Sequence, residues 1–232
     1  MTDAPLAMPL NSICGLCWTI TYILIIKRGF QDKSYGMPMW PLAINISWEF
    51  IYSFVAPVSP PRIVEVHIVW FLFDCIIVYQ LLRYWKNHIT GVSDKAFYAY
   101  TALAFVTSFI GVLFLQYDMI TLRGVIDGFP EGFGIHYSAF GSNVIMSILF
   151  INMLWARNDV SGQSIYIGLA KGIGTAMAAL RNFLYPEVAT LPNSNELLFP
   201  FFYLAIITFD IIYVILLYRK CRALNVNPWT RL

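Results

Sequence analysis

Seven continuous apolar stretches, at roughly 9–26, 39–56, 64–84, 96–116, 135–155, 164–184 and 197–218, take up most of this chain. Each is about 18 residues or more. At about 1.5 Å of rise per helical residue, that length crosses a hydrocarbon core of about 30 Å. The runs are continuous rather than alternating, which excludes a transmembrane β-barrel. Of the 232 residues, 59% are apolar and only 12% charged. A soluble domain carries roughly a quarter charged residues, so a water-soluble globule is excluded, and disorder with it. The sequence predicts an all-α integral membrane protein, a single seven-helix domain over residues 1–232.

Lysine and arginine set the expected orientation. One set of connections holds Lys27, Arg28, Lys33, Arg83, Lys86, Lys95, Arg157, Arg219, Lys220, Arg222 and Arg231; the other holds Arg62 and Arg123. The first set should face the cytosol. That places the N-terminus on the lumenal side and the C-terminus in the cytosol, as an odd number of spans requires. The first stretch lacks a basic leader and a small-residue cleavage site, and is expected to stay as a signal anchor. The longest connection, 117–134, with Asp118, Arg123, Asp127 and Glu131 among glycines and a proline, reads as a lumenal loop, either ordered as a cap over a cavity or, the more common case, simply solvated. A net charge of +2 is too small to point to nucleic acid, and four cysteines make no disulfide framework.

Four ionisable residues lie inside the spans: Glu49, Asp74, Lys171 and Asp210. A charge at the bilayer centre costs about 2.5–3.5 kcal/mol or more, so each is a functional candidate. Counted from the cytosolic end of each span, all four fall in one layer roughly 10–15 Å deep. Three acids face one lysine. Lys171 can neutralise one, leaving at least one carboxyl without a cation. In a low-dielectric layer such a group favours its neutral form and becomes a proton donor.

The neighbours of these acids are aromatic. Asn45, Trp48, Glu49 and Tyr52 follow i, i+3, i+4, i+7 spacing, as one helix face does. Tyr203, Asp210 and Tyr213 share a face in the last span. Aromatic rings beside an acid commonly only pack; they also stabilise a cation by about 0.5–2 kcal/mol each. Such a pocket suits a carbocation reaction on a lipophilic substrate. Cys14 and Cys17, and the small residues Gly168, Gly172, Gly174 and Ala178, read as close helix packing. Arg181 reads as snorkelling, and His67 and His136 as interfacial packing. No cluster has metal-ligand spacing. The match between 73–78 and 209–214 hints at an internal repeat, although chance similarity of apolar helices explains it more simply.

The run Asp32-Lys33-Ser34-Tyr35-Gly36-Met37-Pro38, followed by Asn45-Ile46-Ser47-Trp48-Glu49-Phe50-Ile51-Tyr52, resembles the fungal transmembrane terpene cyclases of meroterpenoid and indole-diterpene pathways. Phe202-Tyr203, Asp210 and Tyr213 resemble the same family more loosely. The resemblance implies a membrane enzyme of the endoplasmic reticulum that cyclises a farnesyl or geranylgeranyl chain on an aromatic or polyketide head group. Its substrate carries a terminal epoxide installed by an upstream flavin epoxidase on a prenyl chain attached by an upstream prenyltransferase. The family's two essential acids fall on Glu49 and Asp210. With Glu49 as leading proton donor, Asp210 is its hydrogen-bonded partner or the terminal base, and these roles can be exchanged. Asn45, Trp48, Tyr52, Tyr203 and Tyr213 would shape the pocket, with Asn45 orienting Glu49 from one turn away. Asp74 and Lys171 have no place in the family pattern and stay as neighbouring candidates. The chain has neither an Asp-Asp-x-x-Asp nor an Asp-x-Asp-Asp cluster, so no metal or other cofactor is implied.

From the residues alone, a seven-helix proton-coupled transporter competes with the cyclase. A retinal-bearing photoreceptor is weaker, because Lys171 is not in the last span. A receptor is weaker still, because the loops offer little surface.

Overall fold

The computed structural model describes residues 4–57, 61–125, 133–185 and 197–232. Among these, seven α-helices account for the apolar stretches: α1 (Ala7–Gln31), α2 (Met39–Phe50), α3 (Pro61–Tyr84), α4 (Asp94–Val125), α5 (Phe133–Arg157), α6 (Ile165–Leu184) and α7 (Leu198–Ala223). Five of the helical segments, those built on α1, α3, α4, α5 and α7, are long and apolar enough to cross a membrane. The helix α2 has only 12 residues and runs on as a π-helical segment, Ile51–Val55. The helix α6 carries Lys171 and Arg181 in a glycine- and alanine-rich stretch.

Each helix meets its neighbours in a closed order: α1 packs on α6, α6 on α7, α7 on α5, α5 on α4, α4 on α2, α2 on α3, and α3 back on α1. Contacts between α2 and α5 also run across the ring. The polarity is that of a lipid-embedded bundle. Leu16, Leu72, Leu103, Phe114 and Leu204 are exposed on the outside, whereas Glu49, Asp74, Gln80, Gln163 and Lys171 are buried within. Water would not tolerate so much outward apolar surface.

Small residues permit the tight pairing of α6. A Cβ placed on Gly174 would come within 3.0–3.3 Å of Trp18, Cys17 and Cys14 on α1, and one on Gly168 within 2.8–3.1 Å of Val214 and Tyr213 on α7. The glycines and cysteines are therefore packing residues at these contacts.

At the end of the bundle where α1 stops, three loops lock together. Asp32 pairs with Arg28 and Arg231 and accepts a hydrogen bond from the Gly162 N–H at 2.8 Å. Arg157 lies over the Tyr35 ring, 4.1 Å from its centroid, and donates to the Tyr35 carbonyl at 2.9 Å. Arg231 donates to the Gln163 carbonyl at 2.8 Å. Gly162 has φ +72° and would bring a Cβ to 2.9 Å from the Tyr35 carbonyl, so both conformation and space call for glycine. The basic residues of the first charge set thus include the ties that close one end of the bundle.

The helices α1 and α7 each run five residues past their expected ends, and one boundary differs by more. The helix α4 extends to Val125, so residues 117–125 are helix rather than loop. The run Leu115-Gln116-Tyr117-Asp118-Met119-Ile120-Thr121-Leu122-Arg123 contains no glycine or proline to stop it. Asp127 and Glu131 lie outside the described residues.

Candidate active site

The mid-span ionisable residues form two clusters rather than one. The first joins α1, α2 and α3. Tyr22 donates its hydroxyl hydrogen to Glu49 Oε1 at 3.1 Å. Asn45 Nδ2 donates to the Tyr22 oxygen at 2.5 Å and to Asp74 Oδ2 at 2.8 Å. All four side chains are buried. Two carboxyls therefore hang on one tyrosine–asparagine bridge. Among the described residues Glu49 Oε2 and Asp74 Oδ1 have no hydrogen-bond partner, and no cation pairs with either acid.

The second cluster joins α5, α6 and α7. Lys171 Nζ donates to both carboxylate oxygens of Asp210, at 2.7 and 2.9 Å, and to Ser147 Oγ at 2.8 Å. The lysine's three donors are all used. Ser147 in turn donates to the Asn143 carbonyl at 2.9 Å. One helical turn beyond Asp210, Tyr213 donates to Gln163 Oε1 at 3.2 Å, with its ring 5.3 Å from that of Phe150.

Trp18 stands between the clusters. Its ring lies 6.1 Å from that of Tyr22, and its Cδ1 would stand 3.0 Å from a Cβ on Gly174, one turn from Lys171. The Tyr22 ring is also flanked by Trp70 at 6.0 Å and Phe73 at 5.9 Å.

The residues expected on one face of α2 point two ways. Asn45 and Glu49 turn toward α1 and α3. Trp48 donates to the Ile135 carbonyl at 3.3 Å, and Tyr52 donates to Gln116 Oε1 at 2.8 Å and lies 3.3 Å from Ser138 Oγ. The reason is angular. At about 100° per residue, Asn45 and Glu49 fall near 0° and 40°, and Trp48 and Tyr52 near 300° and 340°. The four form one stripe about 100° wide, with Glu49 at one edge and Trp48 at the other. Asn45 consequently reaches Glu49 through Tyr22, not directly. The π-helical segment begins two residues after Glu49, and a wider turn of this kind frequently accompanies a functional site. The Trp48 and Tyr52 rings remain 5.0 Å apart, and His67 packs on Trp48 at 4.9 Å.

On α7, Tyr203, Asp210 and Tyr213 are all buried, as shared spacing requires. Tyr203 belongs to a separate aromatic group with Phe140 and Phe199, two turns from Asp210. Glu49 and Asp210 are not hydrogen-bonded to each other: Asp210 spends both oxygens on Lys171, and Glu49 bonds Tyr22. Depth alone placed them in one layer without saying which partner each would take.

Sequence reasoning missed Tyr22 and Ser147. The signal for Tyr22 was its i, i+4 spacing from Trp18, which repeats the aromatic stripe seen on α2. Ser147 carried no signal, since a lone serine in an apolar helix ordinarily bonds its own backbone.

Residues 3–223 match the family model of Pyr4-like transmembrane terpene cyclases. Among curated relatives, the Pyr4-family terpene cyclase mfmH of Annulohypoxylon moriforme is 31% identical over 82% of this chain and 77% of its own length. Terpene cyclase andB of Emericella variicolor is 29% identical over 74% of this chain and 70% of its own. Asnovolin H synthase nvfL of Aspergillus novofumigatus is 27% identical over 83% and 77% respectively. No solved structure matches.

Proposed function

The chain belongs to the Pyr4-like transmembrane terpene cyclases, and we propose that it opens the terminal epoxide of a prenylated aromatic or polyketide substrate and closes the chain into rings. The observation that carries this reading is the unequal pairing of the acids: Asp210 is held by Lys171, while among the described residues Glu49 has no cation and one unpartnered oxygen. An acid without a counter-ion is placed to give a proton, and one held by lysine is placed to face a cation and receive one.

In the proposed sequence, Glu49 transfers its proton from Oε2 to the epoxide oxygen. The C–O bond breaks, its electron pair stays on oxygen as a hydroxyl, and a carbocation forms on the prenyl chain. The alkenes then attack in turn, each forming a C–C bond and passing the positive charge along. Asp210, as the anion, supports the cation and accepts the terminal proton, and that proton returns to Glu49 before the next turnover. Atoms are conserved, so the product is an isomer of the substrate. Trp48, Tyr52, Tyr203 and Tyr213 line the path as ring faces that stabilise positive charge, and Asp74 supports the Tyr22–Asn45 bridge. In this proposal α2 and α6 complete a seven-crossing bundle of the endoplasmic reticulum, with the Arg157 and Arg231 end cytosolic. The substrate arrives from a membrane prenyltransferase and a flavin epoxidase through the lipid.

Microsomes expressing the chain test this. They are supplied with an epoxidised farnesyl-polyketide and an epoxidised geranylgeranyl-indole. A cyclic isomer of unchanged mass from either substrate is the expected result, and the substrate that reacts names the head-group class. No isomerisation of either, with the protein shown inserted and folded, overturns the proposal and favours the transporter reading, to be followed by proton-coupled flux.

A further inference from the structure

We propose that Tyr22 is a positioning residue that fixes which oxygen of Glu49 carries the transferable proton. The inference rests on the reading of Glu49 as the acid and adds a residue that the reading does not need. It follows from counting hydrogens. Tyr22 has one hydroxyl hydrogen, and it points to Glu49 Oε1. The Tyr22 oxygen is itself an acceptor, taken by Asn45 Nδ2. The second amide hydrogen of Asn45 goes to Asp74 Oδ2. Every hydrogen of the bridge is committed, and each points along the chain toward a carboxyl. Glu49 Oε1 is thereby an acceptor, which leaves Oε2 as the protonated oxygen. Oε2 is the one without a partner, in a side chain only 2% exposed.

The bridge is also rigid. Tyr22 is 1% exposed, and Trp18, Trp70 and Phe73 flank its ring at 5.9–6.1 Å. The ring, and with it the hydroxyl oxygen, cannot shift without moving three aromatic rings, and the Asn45 donation to that oxygen directs its one hydrogen to Glu49. Its hydrogen bond also strengthens during the reaction: when the proton leaves Oε2, negative charge spreads onto Oε1, and a neutral hydrogen bond becomes a charge-assisted one. An interaction stronger in the transition state than in the ground state raises kcat and leaves KM little changed. Tyr22 therefore orients the acid and stabilises what the acid becomes, without touching substrate.

The test is Tyr22→Phe, which removes one oxygen and keeps the ring. In microsomes holding equal amounts of folded protein, kcat for the epoxide substrate should fall about ten- to a hundredfold, the range for a lost hydrogen bond to a charged group. KM should stay within twofold, and the solvent deuterium isotope effect on kcat should rise as proton transfer becomes more rate-limiting. A loss carried by KM, or a kcat within twofold of the parent, overturns the proposal. If Tyr22→Phe does not fold, 3-fluorotyrosine at position 22 preserves the packing and makes the hydroxyl a stronger donor; kcat should then rise, and an unchanged kcat overturns the proposal. Glu49→Gln in the same preparation separates the two levels. If it stays active, the acid assignment fails; if it is inactive while Tyr22→Phe is normal, only the positioning role fails.

Discussion

Lys171 holds both oxygens of Asp210, at 2.7 and 2.9 Å, in a pair whose two side chains are 2% and 7% exposed. Lys171 is thus committed to α7, and among the described residues Glu49 and Asp74 have no cation. Breaking such a pair leaves an uncompensated buried charge, which costs about 3–5 kcal/mol. Lys171→Met should therefore sharply lower the thermal midpoint in detergent. Adding Asp210→Asn to it should recover much of that stability without recovering cyclisation. Equal midpoints for parent and Lys171→Met would show that the pair contributes nothing to the fold.

Glu49→Gln separates chemistry from folding. Glutamine keeps an oxygen to accept the Tyr22 hydrogen bond but has no acidic proton to give. General acid catalysis contributes about 10²–10⁴-fold. Product formation should fall by that factor, while stability in detergent changes by less than about 1 kcal/mol. A variant that loses both would make Glu49 a structural residue.

The contact of α6 with α1 is set by Gly174. A Cβ there would already lie 3.0 Å from Trp18 and 3.1 Å from Cys17. Gly174→Leu should destabilise by about 1–3 kcal/mol through overpacking. It should also lower activity, because Trp18 packs on Tyr22. Gly15→Ala, where nothing lies within 4 Å of the new Cβ, should be neutral. Thermal unfolding of the two variants side by side decides the point.

His88, in the connection between α3 and α4, predicts a pH dependence. Burial, helped by the charge of Arg157 and opposed by Asp159, pushes its imidazole down to about 4. Its Nε2 lies 2.7 Å from Ser34 Oγ. The unfolded chain, with an ordinary histidine near 6.5, binds the proton more readily than the folded one between these values. Stability is therefore full above about 6.5 and is lost as pH falls toward 4. Acid-induced unfolding in detergent should show this slope in the parent and a shallower one in His88→Gln. Identical slopes would remove His88 from the account.

How much of this was legible depends on which physics wrote it. The helices were legible because lipid permits only long apolar helical runs here; the ends of α1 and α7 run five residues further than expected, and α4 runs nine further, since no breaker stands between Leu115 and Arg123. The buried charges were legible because they are costly in lipid. Their pairing was not, because spacing along each helix gives depth and face but not which helix stands beside which. Lys171 met Asp210 because α6 packs on α7, and Glu49 met Tyr22 because α2 and α1 both border α3. The division of α2 into a Glu49 edge and a Trp48 edge needed the neighbours too. The π-helical segment at Ile51–Val55 has no glycine or proline to announce it.

The central claim is that Glu49 carries a proton while Asp210 does not. Infrared difference spectra of the purified protein, parent minus Glu49→Gln and parent minus Asp210→Asn, measure this directly. The account predicts that Glu49→Gln removes a protonated-carboxyl C=O band and that Asp210→Asn removes a carboxylate band. A carboxylate band lost from Glu49→Gln would contradict it.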